Sequence, residues 1–282
     1  MSAGCVEVLS KVKDLQTIPG ATTALLQLLN DPTSSTGAIT GEVRKDQALM
    51  ALVLRTANSS LYGSAGQVRD ITEAVIVLGF DTLRQLVLAR LARTALRRND
   101  PVQRALWRHA LATAVAAEAC ARAVRGITVA HAFTGGLLHD IGKAVLSEGS
   151  PEAYARVWEI QSRDERPSDE IEREHFGTDH AEVGAALLKS WQFPPLYQHA
   201  VRFHHAPASA TGGGDKEQRL LSIAVLSDAV SAWVGHGPRP ARPIAEFEGH
   251  PMLDVLGSGT HLVVMMEAHL QAQLTTLSGV FS

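Results

Sequence analysis

Cysteine is nearly absent: Cys5 and Cys120 are the only two in 282 residues. They stand far apart and outside any Cys-x-x-Cys spacing, which fits a reducing compartment and excludes a thiolate zinc site. Aromatic residues are also scarce, at 5%. Strand-like alternation is rare while Ala and Leu are abundant, so the expected fold is all-α, helix packed on helix. A net charge of −3 offers no overall attraction to nucleic acid or to anionic lipid. The locally basic stretch Arg90, Arg93, Arg97 and Arg98 reads as a solvated helix face, so no nucleic-acid partner is expected. No run approaches the roughly 18 uninterrupted apolar residues of a membrane span, and the first residues carry no basic-then-apolar leader. A cytoplasmic protein with no membrane partner is the expectation.

The chain does have enough apolar residues for a sizeable core, 45% against 20% charged. Residues 6 to 98 read as short helices: Asp31-Pro32 as a cap and first turn, a stripe at Leu49, Leu52 and Val53, then two helices broken near Gly79. Asn99-Asp100-Pro101 is the clearest boundary and divides a 1–98 subdomain from a 99–282 bundle with a C-terminal helical extension. A helix is expected from Pro101 to about Val124, and another from Ala130 to Val145. Further helices are expected over Tyr154 to Gln161, from His180 to Trp191, from about Leu196 to His204-His205, around Leu221 to Asp228, and over Leu262 to Leu277. Ala206 to Asp215 and Gly235 to Pro251 read as loops.

Chemistry concentrates in Leu137-Leu138-His139-Asp140-Ile141-Gly142-Lys143, an imidazole and a carboxylate side by side among apolar neighbours. His180 lies on the buried stripe of its helix, with Val183, Gly184, Leu187 and Leu188 at i+3, i+4, i+7 and i+8. Asp228 likewise falls on an apolar face, where a carboxylate needs a cation, a donor or a metal. His109, His204 and His205 complete the candidate ligands. Imidazole with carboxylate suits iron, manganese, zinc or magnesium. Several helices projecting such groups inward can build a dinuclear site, with Asp140 placed to bridge two ions and Lys143 to meet an anionic phosphate. His131, His175 and His199 read as surface or hydrogen-bonded histidines.

These stretches resemble the HDOD family, the HD-related output domain of bacterial signalling proteins. The likeness runs from Ile18-Pro19 through Leu25 to Pro32, Leu54-Arg55-Thr56-Ala57-Asn58-Ser59-Ser60-Leu61-Tyr62-Gly63, Ala74 to Gly79 and Leu106-Trp107-Arg108-His109. It continues through Gly135 to Lys143, His180 to Trp191, and His204-His205. The resemblance implies an HD-type helical bundle with an N-terminal helical subdomain, and a regulatory role exercised on signalling protein partners. A similarity to the HD-GYP phosphodiesterases implies one metal at His109, His139, Asp140 and Asp228 and a second at Asp140, His180, His204 and His205, with Lys143 matching a family lysine. Ala206-Pro207-Ala208 follows the histidine pair where those enzymes carry Glu-Arg-x-Asp-Gly, and Gly-Tyr-Pro is missing. Ala105 stands where three-metal variants have a further carboxylate. Hydrolysis of cyclic di-GMP is therefore not expected. The resemblance implies a signalling output module with a retained divalent-metal site, or alternatively a metal-dependent phosphohydrolase of a nucleotide or other phosphoester.

Overall fold

The computed structural model describes residues 1–12, 20–31, 33–58, 68–95, 100–247 and 249–281. Among these, every regular element is helical. Ile18-Pro19, Pro32, Ser59 to Gly63, Arg97-Arg98 and Asn99 lie outside the described residues. The chain separates into two compact units, one of residues 1–17 and 92–271, the other of residues 18–91 and 272–282. This differs from a division at residue 98. The first helix, α1 (Ala3–Lys11), packs on elements of the larger unit. Its leading Ser2 donates from both its backbone nitrogen and its hydroxyl to Glu182, at 2.6 and 2.8 Å.

The smaller unit contains α2 (Gly20–Asn30), α3 (Thr36–Val43), α4 (Gln47–Ala57) and most of α5 (Ile71–Ala95). Leu25, Leu29, Ile39, Val43, Leu52, Val53, Val75 and Leu83 form its core. Each such side chain contributes on the order of 1.5–3 kcal/mol by burial. Asp31 does not cap the helix that follows it: its carboxylate accepts from Thr33, and Ser35 caps α3. Gly79 breaks α5 at φ 74, ψ 165, a conformation open to glycine and costly for other residues. Arg90 pairs with Asp46 at 3.0 Å, which satisfies part of the basic face.

The larger unit is built around α6 (Pro101–Ala123), capped by Asp100, whose carboxylate accepts from Gln103. The alanines of α6 let α7 (Val129–Leu138) and α13 (Asp215–Ser231) pack closely on it. A single helix from Ala130 to Val145 does not form. The chain turns at His139-Asp140, between α7 and α8 (Ile141–Gly149), with Asp140 at φ −103, ψ 15. The reason is a backbone crossing: a Cβ on Gly142 would lie 1.9 Å from the His180 carbonyl oxygen, so α8 meets α11 (His180–Ser190) nearly backbone to backbone. Between them run α9 (Pro151–Arg163) and α10 (Ser168–Phe176), the latter within a charged segment in which no helix is expected from the sequence. Then come α12 (Pro195–Phe203), a π turn over Ala232–His236, a short α14 (Pro251–Leu256) and α15 (His261–Phe281). No helix among the described residues is long and apolar enough to cross a membrane.

Candidate metal centre

Four helices and one turn bring the sequence-predicted ligands together. His109 comes from α6, His139 and Asp140 from the turn, His180 from the first position of α11, His204 and His205 from the end of α12, and Asp228 from α13. They form two clusters, His109 with His139 and Asp228, and Asp140 with His180, His204 and His205. Within each, one ligand atom per residue lies within 4.8 Å of the others.

Asp140 faces both clusters, one oxygen to each. Its Oδ2 is 3.4 Å from His109 Nε2 and 3.3 Å from His139 Nε2, while its Oδ1 is 3.1 Å from His180 Nε2 and 3.5 Å from His204 Nε2. Neither oxygen receives a well-directed hydrogen bond, although Lys143 Nζ lies 2.7 Å from Oδ2. His139 Nε2 is likewise buried without a hydrogen-bond partner. Asp228 Oδ1 sits 3.0 Å from His109 Nε2 and 3.6 Å from His139 Nε2.

The far side of each ring explains why these atoms converge. A carbonyl oxygen only accepts, so His139 Nδ1 donates to Gly136 at 2.8 Å and His204 Nδ1 to Val201 at 2.8 Å. His180 Nδ1 donates to the wholly buried Glu172 carboxylate at 2.5 Å, which also accepts from the His180 backbone at 2.8 Å. Ser231 lies 3.4 Å from His109 Nδ1, and Asp169 lies 3.8 Å from His205 Nδ1. In the neutral rings of His139, His180 and His204, Nε2 is then a bare lone pair. His180 Nε2 is nonetheless only 3.1 Å from His204 Nε2 and 2.9 Å from His205 Nε2. Lone pairs aimed at one another and at a carboxylate repel unless protons or metal cations lie among them. The donor set, imidazole and carboxylate with outer hydrogen bonds fixing each ring, fits divalent metal ions.

Without metal the charges must balance by protonation. Burial acts to depress His139, but the Asp140 and Asp228 carboxylates outweigh it and push the imidazole up to about 10. His180 follows the same pattern against Glu172 and reaches about 9. Burial opposes ionisation of Asp140 too, yet His139, Lys143 and His180 together hold it well below the usual carboxylate range. Burial, and then the neighbouring cations, depress His204 and His205.

His131, His175 and His199 stand outside both clusters, His131 beside Thr128 and His175 donating to the Ile171 carbonyl. The sequence reading missed Glu172, Asp169 and Ser231. In Ser-Asp-Glu-Ile-Glu-Arg-Glu-His-Phe the only inward signal is Ile171, so a buried carboxylate beside it looks like one more solvated charge. A cavity of about 460 Å³ opens over the clusters, with His109, Lys143, His205 and Asp228 in its wall.

The HDOD domain profile matches residues 15–207. An uncharacterized protein of Treponema pallidum (strain Nichols) is 28% identical over 199 residues, 70% of this chain and 39% of that protein. The chain thus spans about two fifths of the length of this curated relative. An HDOD domain protein of unknown function from Geobacter sulfurreducens superposes with a TM-score of 0.81 at 24% identity, covering 98% of this chain and 96% of that one, a likeness of fold. A protein from Shewanella amazonensis SB2B, named as a candidate phosphohydrolase, superposes with a TM-score of 0.73 at 27% identity, covering 97% and 95%.

Proposed function

The chain belongs to the HDOD domain family, and from that premise we propose that it is a metal-dependent phosphohydrolase that retains a working two-metal centre. The observation carrying this reading is Asp140, whose two carboxylate oxygens divide between two histidine clusters under an open cavity. The same fold serves many purposes, so the argument rests on the site. His109, His139, Asp140 and Asp228 would hold one ion, and Asp140, His180, His204 and His205 the other. Iron, manganese, zinc or magnesium would supply an activated water and charge stabilisation for a phosphoryl displacement. Lys143 is buried beside Asp140 and lines the cavity; Asp140 outweighs the effect of burial and keeps its ammonium charged. It would hold an anionic phosphoester over the centre. Cyclic di-GMP is not the proposed substrate, because the residues after His205 lack the Gly-Tyr-Pro chemistry.

Protein purified without chelator, assayed by elemental analysis and by release of phosphate from a panel of phosphomonoesters and phosphodiesters, tests this. Metal-dependent turnover that Asp140→Asn abolishes is expected. Bound metal with no turnover on any member of the panel would overturn the enzymatic reading.

A second reading, an output module acting on a signalling protein partner in the cytoplasm, is favoured by a different observation. Ile76, Val77 and Phe80, on either side of the Gly79 break, are 70%, 38% and 37% exposed. Large apolar side chains left exposed within five residues suit protein contact. Ile76→Asp should then abolish partner binding and leave metal content intact.

A further inference from the structure

The wall of the cavity over the clusters comes from a segment that the ligand set does not account for. The helix carrying Asp228 continues into the π turn Ala232–His236, and this turn delivers Trp233 to the cavity. Such turns break helix regularity and recur at functional sites. The chain then runs through Pro238, Pro240 and Pro243 and returns with Phe247 and His250, which also face the cavity. Hydrogen bonds pin this arch: Trp233 Nε1 donates to the Pro243 carbonyl at 2.9 Å, and the Arg242 backbone nitrogen donates to the Trp233 carbonyl at 2.8 Å. Phe247 meets Trp233 edge-on at 5.3 Å, and His250 stacks on Phe247 at 5.8 Å. The result is an aromatic cluster in which Phe247, itself buried, buttresses Trp233 and His250 at the cavity wall.

Cations stand beside it. Arg242 lies over the Trp233 ring at 5.1 Å, which supports its planar guanidinium, and its Nη2 is 3.7 Å from the exposed Glu165 carboxylate, a loose pairing that a phosphate can displace. Arg239 lines the same cavity, donating to the Gln161 carbonyl at 3.4 Å. A plain phosphate needs Lys143 and the arginines but no aromatic wall. A free aromatic compound needs the wall but no arginines. A nucleotide uses both, and the cavity size of about 460 Å³ falls in the ordinary range for enclosing a small ligand.

Resting on the phosphohydrolase reading, we propose that the ligand is a nucleotide: its base packs on Trp233 and His250, which Phe247 buttresses, Arg239 and Arg242 hold charge at its edge, and its phosphate reaches Lys143. The arch from Trp233 to His250 is thus the specificity element, separate from the metal ligands.

The test is fluorescence titration of the manganese-loaded full chain with AMP, GMP, CMP and UMP, using ribose 5-phosphate and inorganic phosphate as base-free controls. At least one nucleotide should bind about tenfold or more tightly than ribose 5-phosphate, the scale of one base stacked on an aromatic ring. Trp233→Ala should erase that preference, bringing nucleotide affinity down to that of ribose 5-phosphate, while Trp233→Phe restores most of it. Far-ultraviolet circular dichroism and metal content confirm that each variant is folded. Equal binding of nucleotides and ribose 5-phosphate to the unmodified chain would overturn the nucleotide assignment alone. Absence of binding by every phosphate compound would overturn the phosphoester reading together with it.

Discussion

The Glu172 carboxylate, wholly buried, accepts from His180 through both the ring Nδ1 and the backbone nitrogen, at 2.5 and 2.8 Å. That pairing fixes the ring with Nε2 toward Asp140. Carboxylates behind ligating histidines set ring orientation and raise ligand basicity, and losing one costs about 10- to 100-fold in metal affinity. Glu172→Gln should therefore weaken metal binding by that order while helix content is retained. Competition against a chelator of known affinity measures it.

The two clusters share one carboxylate, so substitutions should divide by cluster. Asp140→Asn should reduce bound metal at both positions. His139→Ala and Asp228→Asn should remove one equivalent and leave the His180, His204 and His205 cluster occupied. Elemental analysis of each purified variant reads the stoichiometry, and equal losses from all three would contradict the division.

The close crossing of α8 and α11 leaves no room for a side chain at Gly142. Gly142→Ala places a methyl group 1.9 Å from the His180 carbonyl oxygen, and backbone cannot step aside as a side chain can. It should destabilise the larger unit by about 3 kcal/mol or more and disturb His180 with it. Gly41→Ala is the control: on α3, with nothing within 4 Å of the added Cβ, it should stabilise by roughly 0.5–1 kcal/mol. Denaturant unfolding of both variants tests the contrast.

Much of this arrangement was legible before the structure. Helical spacing identified the inward faces of α11 and α13, and with them His180 and Asp228. The unlikeness of His139-Asp140 to its apolar neighbours pointed to the turn where the two clusters of candidate ligands meet. Three things were hidden. Local pattern alone cannot reveal a turn imposed by a tertiary crossing, so residues 130 to 145 read as one helix. The arch from Trp233 to His250 has no periodicity, and its aromatic and arginine residues acquire meaning only when folding sets them over Asp228. Glu172 belongs with these, since burial of a carboxylate in a charged segment follows from partners distant in sequence.

Cys5 and Cys120 are both fully buried. Burial, assisted at Cys5 by Glu182, pushes the Cys5 thiol up to about 11, and burial pushes Cys120 up to about 12. Thiolate is the reacting species, so neither cysteine should be alkylated in the native protein at pH 8, and both should react in denaturant. Mass spectrometry after brief iodoacetamide treatment distinguishes these outcomes. Rapid native labelling of Cys120 would mean that the α6 core opens far more readily than its packing implies.

Metal and protons should compete at the same nitrogens, with opposite consequences for the two forms of the protein. In the metal-free chain the carboxylates prevail over burial and push His139 and His180 up to about 10 and 9, from an ordinary value of 6.5, so both rings are protonated at neutral pH. A raised folded value means that their stabilisation is fully present below pH 6.5 and is lost as pH rises through 9 and 10. Metal binding requires both rings neutral, so it should release protons at pH 7 and strengthen as pH rises over the same window. Metal-free protein should therefore melt at progressively lower temperature from pH 6.5 to 10, while the gap between metal-loaded and metal-free melting temperatures widens. Thermal melts at fixed free metal, with proton release followed in weak buffer, check both signs. A gap that narrows with rising pH would mean that the imidazoles are already neutral in the metal-free site, and that the lone pairs of His180 and His204 are kept apart by something other than a proton.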